Sequence, residues 1–275
     1  MAHSLSGFIF LLLVLVPAGL WADEDELVFG LPPYANPAAT YQDFSPLVER
    51  LALELKRPVR LSVAPNYTTH MARLARGELD LAFLGPSPYI KMRRNRQPVE
   101  LLAKAVFADQ AVNRVVIVTA EASGLTDLSQ LKGRTFAFGD YHSFGSHFMP
   151  RHLLRLHGVT LAGLANYDYL GSHDNVALAV LHRDFSAGGL RHDIFLRYRH
   201  RPLRILHGPV AIPPPVLVVR PDLARRVKAE LLAILTGLEQ PELFRAINPA
   251  MVGLGAVGEE EFVEAAEIIN FFENH

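Results

Sequence analysis

The sequence predicts an α/β protein made of two lobes of similar plan. Three observations carry that prediction. Short apolar runs alternate with helical patterns along nearly the whole chain. Many of the runs stop at a glycine followed by a polar turn. The plan then repeats: "VFGLPPY" at 28–34 is echoed by "AFGDYHS" at 137–143, and "LDLAFLGPS" at 79–87 by "HRDFSAGG" at 182–189.

Leu27 to Leu31 reads as a short strand ending at Gly30. Tyr41 to Leu55 carries apolar residues at 44, 47, 48, 51 and 55, one face of a helix. Val59 to Val63 alternates as a strand, and Thr68 to Arg76 is helical and closes at Gly77. Asp80 to Leu84, Leu101 to Phe107 and Val115 to Thr119 are further strands. The second round has strands at Thr135–Phe138, Tyr167–Leu170 and Phe185–Ala187, the last ending in Gly188-Gly189, with helices at Phe148–Leu156 and Asn175–Leu181. Strands at Leu203–Leu206 and Val216–Val219 follow, then helices near Asp222–Leu238, capped by Asp222, and Glu259–Phe272. Crossovers are expected near Asp109–Asn113 and His207–Pro215. They divide the chain into a first lobe of residues 23–110 and 211–275 and a second of 111–210. Two crossing segments make a hinge, and ligands of open α/β sheets sit beyond the carboxyl ends of the strands, here the cleft between lobes.

The composition narrows the function. Half of the 275 residues are apolar and 20% are charged, which is enough to bury one large core or two smaller ones. Formal net charge is -1, so no broad basic field draws nucleic acid. There is no cysteine, which excludes disulfides, thiol catalysis, Cys-based zinc sites and a lipid-anchored N-terminal cysteine. Residues 1–22 read as a signal peptide: Phe8 to Val16 is a compact apolar core, Pro17 follows, and Leu20-Trp21-Ala22 precedes the acidic Asp23–Glu26. That segment lacks Lys and Arg, and an uncleaved anchor is the competing reading, although the apolar run falls short of the roughly 20 residues of a span. Export to the periplasm is the expectation.

The chemistry is expected on the turns. "FAFGDYHSFGSHFMPRHLL" at 136–154 passes from a buried strand through a turn rich in Ser, His and Gly into a helix. Such a junction presents free backbone N–H groups and the positive end of a helix dipole. Gly139 and Gly145 allow close backbone approach, and Ser143 and Ser146 add hydroxyls. An anion site follows without any need for net positive charge. The plain alternative is that one of the two serines only caps the helix. The histidines at 142, 147, 152 and 157 repeat every five residues, about 140° apart on a helix, which does not assemble a metal site. His147 stands at the helix start, where it can donate to an anion; His152 and His157 read as surface residues.

Three further turns have the same form. "APNYTTH" at 64–70 offers Thr68, Thr69 and Tyr67, the last as a ligand contact or a packed ring. "FLGPSPY" at 83–89 offers Ser87, which can also cap a helix beginning at Pro88. "LGSHDNVALAV" at 170–180 offers His173, with Ser172 or Asp174 as caps. Gly-x-Ser-x-Gly, His-Glu-x-x-His and the Gly-Lys-Ser/Thr phosphate loop are all missing, so no enzymatic activity, metal or cofactor is expected.

The pieces at 64–90, 133–154, 172–195 and 205–223 together resemble the periplasmic solute-binding proteins of phosphonate, phosphite and phosphate ABC transporters. The resemblance covers most of the chain beyond residue 22. It implies a type II periplasmic-binding fold, with two lobes joined by a two-segment hinge and closing over the ligand. It places Tyr67 at the family's ligand-contacting aromatic. It aligns Asp140 to Ser146 with the family's Asp-x-x-Ser-Thr-Ser-Gly. Ser143 matches, Phe144 and Gly145 stand where hydroxyl residues are usual, and Ser146 stands where Gly is usual. Phe144 would then supply an apolar wall. His173 matches a His-x-x-Asn-like turn if that turn is shifted by one. Tyr34 and Ser87 lie on cleft-side turns. The implied role is capture of a small oxyanion for a membrane permease by a monomeric protein, or delivery of the ligand signal to a membrane histidine kinase.

Overall fold

The computed structural model describes residues 26–33, 36–108 and 113–274. The signal-peptide segment 1–22, Tyr34 and residues 109–112 of the first crossover lie outside the described residues. Among the described residues no helix is long and apolar enough to cross a membrane.

The first part of the chain runs β1 (Leu27–Leu31), α1 (Pro37–Leu55), β2 (Val59–Val63), α2 (Tyr67–Ala75), β3 (Leu81–Leu84), α3 (Pro86–Arg94) and β4 (Glu100–Phe107). The middle part runs β5 (Arg114–Ala120), β6 (Thr135–Phe138), α4 (Met149–Leu156), β7 (Asn166–Tyr169), α5 (His173–Leu181), β8 (Ala187–Arg191), α6 (His192–Tyr198) and β9 (Leu203–Ala211). The last part runs β10 (Val216–Val219), α7 (Arg225–Gly237), α8 (Pro241–Ile247), β11 (Met251–Gly255) and α9 (Val263–Asn274). One six-stranded sheet has the order β11-β4-β10-β3-β1-β2, and a five-stranded sheet has the order β7-β6-β8-β5-β9. The chain therefore leaves the first sheet after β4 and returns to it at β10.

In each sheet three neighbouring strands are parallel: β2, β1 and β3 in the first, and β7, β6 and β8 in the second. Parallel strands require helical crossovers that cover both faces, so the central strands are apolar throughout. Leu81–Leu84 (LAFL) is buried at every position for this reason, and Val216–Val219 (VLVV), antiparallel between β3 and β4, is buried at every position as a central strand of the same covered sheet. One core packs Phe44, Leu47 and Leu51 of α1 and Leu231 and Phe244 of α7 and α8 onto the first sheet. A second core is continuous between the halves. It joins Leu84 and Tyr89 to Phe136, Phe138 and Phe148 and includes Ile269 and Phe272 of α9. Arg151 and Arg155 of α4 lie over the rings of Phe272 and Phe271, each at 4.4 Å. The last helix thus packs against the second half, a placement its sequence pattern did not announce.

Several boundaries differ from expectation. Helix α1 begins four residues before Tyr41, because the Asn36 side chain accepts the Ala39 N–H and Pro37 needs no N–H at the first position. Gly188-Gly189 is not a turn but the middle of β8. The strand passes so close beneath Val176 and Pro150 that an added Cβ would lie 2.5 Å and 2.3 Å from their side chains. Strand β9 continues to Ala211 by pairing with β5, so the second crossover shortens to residues 212–215. Asp222 caps nothing: α7 starts at Arg225, and Asp222 pairs with Arg220 at 2.7 Å. Helices α6 and α8 and strand β11 were not marked by the sequence pattern.

Candidate functional site

Five helices begin at the carboxyl ends of parallel strands and turn their N-termini toward one cleft between the sheets. They are α2, α3, the wide π-type turn Phe144–Phe148 that opens into α4, α5 and α6. A cavity there is lined by Tyr67 from the first, Gly85, Pro86 and Pro88 from the second, Ser143, Phe144 and Gly145 from the third, His173 from the fourth and Arg191 from the fifth. Asn113, Ile212 and Pro215 of the crossing segments complete it.

The side chains of this cavity are held from behind. Asn66 caps α2, accepting the Thr69 N–H at 2.7 Å, which fixes Tyr67 as the first helical residue. Tyr67 is buried, its hydroxyl bonds Ser143 across the cleft, and burial, with Asp140 as a second cause, raises its phenol well above the usual value. It is a neutral O–H group throughout the accessible pH range. Ser143 caps the π-type turn, its Oγ accepting the Ser146 N–H at 3.1 Å. Nδ1 of His173 accepts the Arg191 N–H at 3.1 Å, which places the ring proton on Nε2 as a donor. Burial first, and the Arg191 charge second, push the His173 imidazole down to about 3, so it is neutral at pH 7.

Arg191 is the residue that sequence reading missed. It ends β8, immediately precedes α6 and forms a two-pronged ion pair with Asp193, with Nε to Oδ1 at 2.8 Å and Nη2 to Oδ2. Burial pushes the Asp193 carboxyl up, but the Arg191 charge and hydrogen bonds outweigh it and hold that carboxyl below its ordinary value. A Cβ added to Gly145 would lie 3.3 Å from Val115 and Ile212 and 3.5 Å from Cγ of Arg191. The arginine stem therefore fills the wall beside the glycine. Where the resemblance leads one to expect hydroxyls at 144 and 145, this cavity has an aromatic wall and a guanidinium. The only sequence signal was an arginine two residues after Gly188-Gly189.

Not every predicted residue reaches the cavity. Ser146 and His147 are buried beneath the turn. Ser146 Oγ has no hydrogen-bond partner and is tucked against Gly139, where an added Cβ would be 2.2 Å away. His147 uses both ring nitrogens internally. Nδ1 donates to the Tyr141 carbonyl at 2.7 Å, and Nε2 accepts from Tyr169 Oη at 2.9 Å. It supports the turn and does not face an anion. Ser87 is not the cap of a helix starting at Pro88. Helix α3 starts at Pro86 after Gly85, and Ser87 sits inside its first turn, fully buried, with an unpartnered Oγ. Gly139→Ala is expected to destabilise the protein by about 1–3 kcal/mol through overpacking. Adding Ser146→Gly should restore most of that, and a thermal melt of both variants checks it.

The two halves also touch around the cleft. Asn36 N–H donates to Asp174 Oδ2 at 3.2 Å, Arg197 Nη2 to Asp43 Oδ2 at 3.0 Å, and His142 Nε2 meets Thr68 Oγ1 at 3.2 Å. Lys91 of α3 reaches His142 Nδ1 at 3.3 Å and Glu273 of α9 at 2.8 Å. Burial, then the Lys91 charge, lowers the His142 imidazole, so this link joins a neutral ring to a cation. Among the described residues no three His, Asp or Glu side chains group as a metal site.

The sequence profile of the family described as the periplasmic substrate-binding protein of phosphonate ABC transporters matches residues 29–260. The phosphate-import protein PhnD of Mycolicibacterium smegmatis is 25% identical over 167 residues, covering 57% of this chain and 52% of that protein, so the match spans about half the length of this curated relative. PhnD1 of Prochlorococcus marinus, solved in complex with methylphosphonate, superposes with a TM-score of 0.83 at 19% identity, covering 91% of this chain and 99% of that one. The binding-protein component of a Pseudomonas aeruginosa ABC phosphonate transporter gives 0.82 at 18% identity, covering 91% and 87%. These structures share the type II periplasmic-binding fold, with its two α/β sheets either side of a cleft. On the match of its profile to most of the sequence, the chain belongs to the periplasmic substrate-binding family of phosphonate ABC transporters.

Proposed function

We propose that the protein captures a small phosphorus oxyanion, a phosphonate, phosphite or phosphate, in this cleft and presents it to the permease of an ABC transporter. The observation that carries the reading is the convergence of helix N-termini on one cavity that also holds the Tyr67 and Ser143 hydroxyls, the His173 imidazole and the Arg191 guanidinium. Each N-terminus offers orphan N–H donors and a positive dipole end. A tetrahedral anion needs several donors around one centre, and this arrangement supplies them without water. Burial strengthens each charge-assisted bond. The chain carries no covalent step in this role. Lobes of residues 23–110 with 211–275, and 111–210, would open and close about the crossing segments, and residues 1–22 would direct export to the periplasm.

Calorimetry with methylphosphonate, phosphite, phosphate and sulfate tests the reading. At least one phosphorus anion is expected to bind at micromolar concentration or below. Ser143→Ala and Tyr67→Phe should each weaken it by about 10- to 100-fold, the worth of a hydrogen bond to a charged group. No binding of any of the four at millimolar concentration sinks the proposal.

A further inference from the structure

A second cavity adjoins the first, and Asn113, Arg191 and Pro215 line both. Both are narrow, about 20 Å³ each. Its far wall is apolar, formed by Phe44, Phe83, Phe107, Ile194, Ile247 and Met251. Its charged groups are matched among themselves: Asp43 pairs with Arg197, and Arg191 with Asp193. Thr40 also lines it, 2% exposed, and Thr40 Oγ1 is buried without a hydrogen-bond partner. A buried, orphaned hydroxyl is costly unless something arrives to meet it.

We propose that this second cavity is a substituent site, taking the uncharged, hydroxyl-bearing organic group of a phosphonate, with the Thr40 hydroxyl as its hydrogen-bond partner. The phosphoryl oxygens occupy the helix N-termini, so the inference rests on the function proposed above. The substituent passes beside Arg191 into the space under Phe44 and Phe83. The apolar wall takes its methylene groups, and Thr40 takes its oxygen. A substituent ending in an ammonium is disfavoured, because among the described lining residues every carboxylate already has a cation and the ammonium must shed water without one.

The test is calorimetry on the whole chain with methyl-, ethyl-, 2-hydroxyethyl- and 2-aminoethylphosphonate. The hydroxyethyl compound should bind about five-fold tighter than the ethyl compound, the worth of one neutral hydrogen bond. It should exceed the aminoethyl compound by about ten-fold or more. In Thr40→Val, which is nearly the same shape and removes only an orphaned group, the hydroxyethyl-to-ethyl ratio should fall to about one. If methylphosphonate binds but the ratio is one in the wild type, or is unchanged in Thr40→Val, the substituent site is wrong while the oxyanion function stands. Tighter binding of the aminoethyl compound also overturns the inference. If no phosphonate binds, both readings fall together.

Discussion

Arg191→Ala should lose oxyanion binding by more than about 100-fold and lower folding stability by about 3–5 kcal/mol. The stability loss comes from Asp193. That carboxylate is 9% exposed, and the Arg191 guanidinium donates a hydrogen bond to each of its oxygens. Removing the guanidinium leaves a buried charge without its partner, which is far worse than removing both. The binding loss comes from the cavity, where Arg191 is the one charged side chain among the described lining residues. Two variants separate these effects. Arg191→Met with Asp193→Asn removes both charges and should recover most of the stability, while binding stays lost. Arg191→Lys keeps the charge but not the planar fork, so it should fall between wild type and alanine in both measurements. If the double variant binds as wild type does, Arg191 is only a structural partner of Asp193.

Acid should unfold the protein at a pH where most carboxylates are still charged. Three histidines are buried and neutral: His70 and His147 are pushed down to about 4, and His173 to about 3, in each case chiefly by burial. Their reference value when unfolded is about 6.5. The folded state therefore binds fewer protons than the unfolded chain between those limits. The stability they contribute is fully present above about pH 6.5 and is lost as pH falls toward their folded values. At pH 5 each costs about 2 kcal/mol, and together they cost a large part of an ordinary domain's stability. The geometry explains why protonation is resisted. A proton on Nδ1 of His70 finds no partner, and one on Nδ1 of His173 faces the Arg191 N–H. Only His147 has an accommodating neighbour, the Tyr169 hydroxyl, which can turn to accept. Melting temperature from pH 8 to pH 4 checks this. The curve should drop steeply below pH 6, and a flat profile between pH 7 and pH 5 would contradict it.

The departures from expectation at the site have one origin. Ser143 and Gly145 were legible as cavity residues because they stand where a buried strand meets a helix start, and such junctions expose N–H groups by geometry, while Phe144 came only from the family resemblance. Ser146 and His147 were read the same way but lie underneath. The π-type turn Phe144–Phe148 takes an extra residue before α4 and rotates them off the cleft face, toward Gly139 and Tyr169. Nothing in the residue types signals that extra residue. Ser87 was read as a cap because the start of α3 was placed two residues too late, either proline, at 86 or 88, being acceptable at a first position. Arg191 was passed over because it belongs to none of the four turns read as donor sites. Only the pairing of β8 with β5 and β6 brings it beside Gly145 and Ile212.

The sequence by itself determined the alternation of strands and helices, the two-fold recurrence of the plan, and the turns at which donors would be exposed. These follow from local periodicity, from glycine, and from helix ends that no neighbour is needed to create. Tertiary structure alone decided which donors share a cavity, that an arginine supplies charge beside the missing hydroxyls, and that a second cavity opens beyond it. Those are matters of distance between residues far apart in the chain, fixed by sheet pairing and close packing, and periodicity carries no record of either.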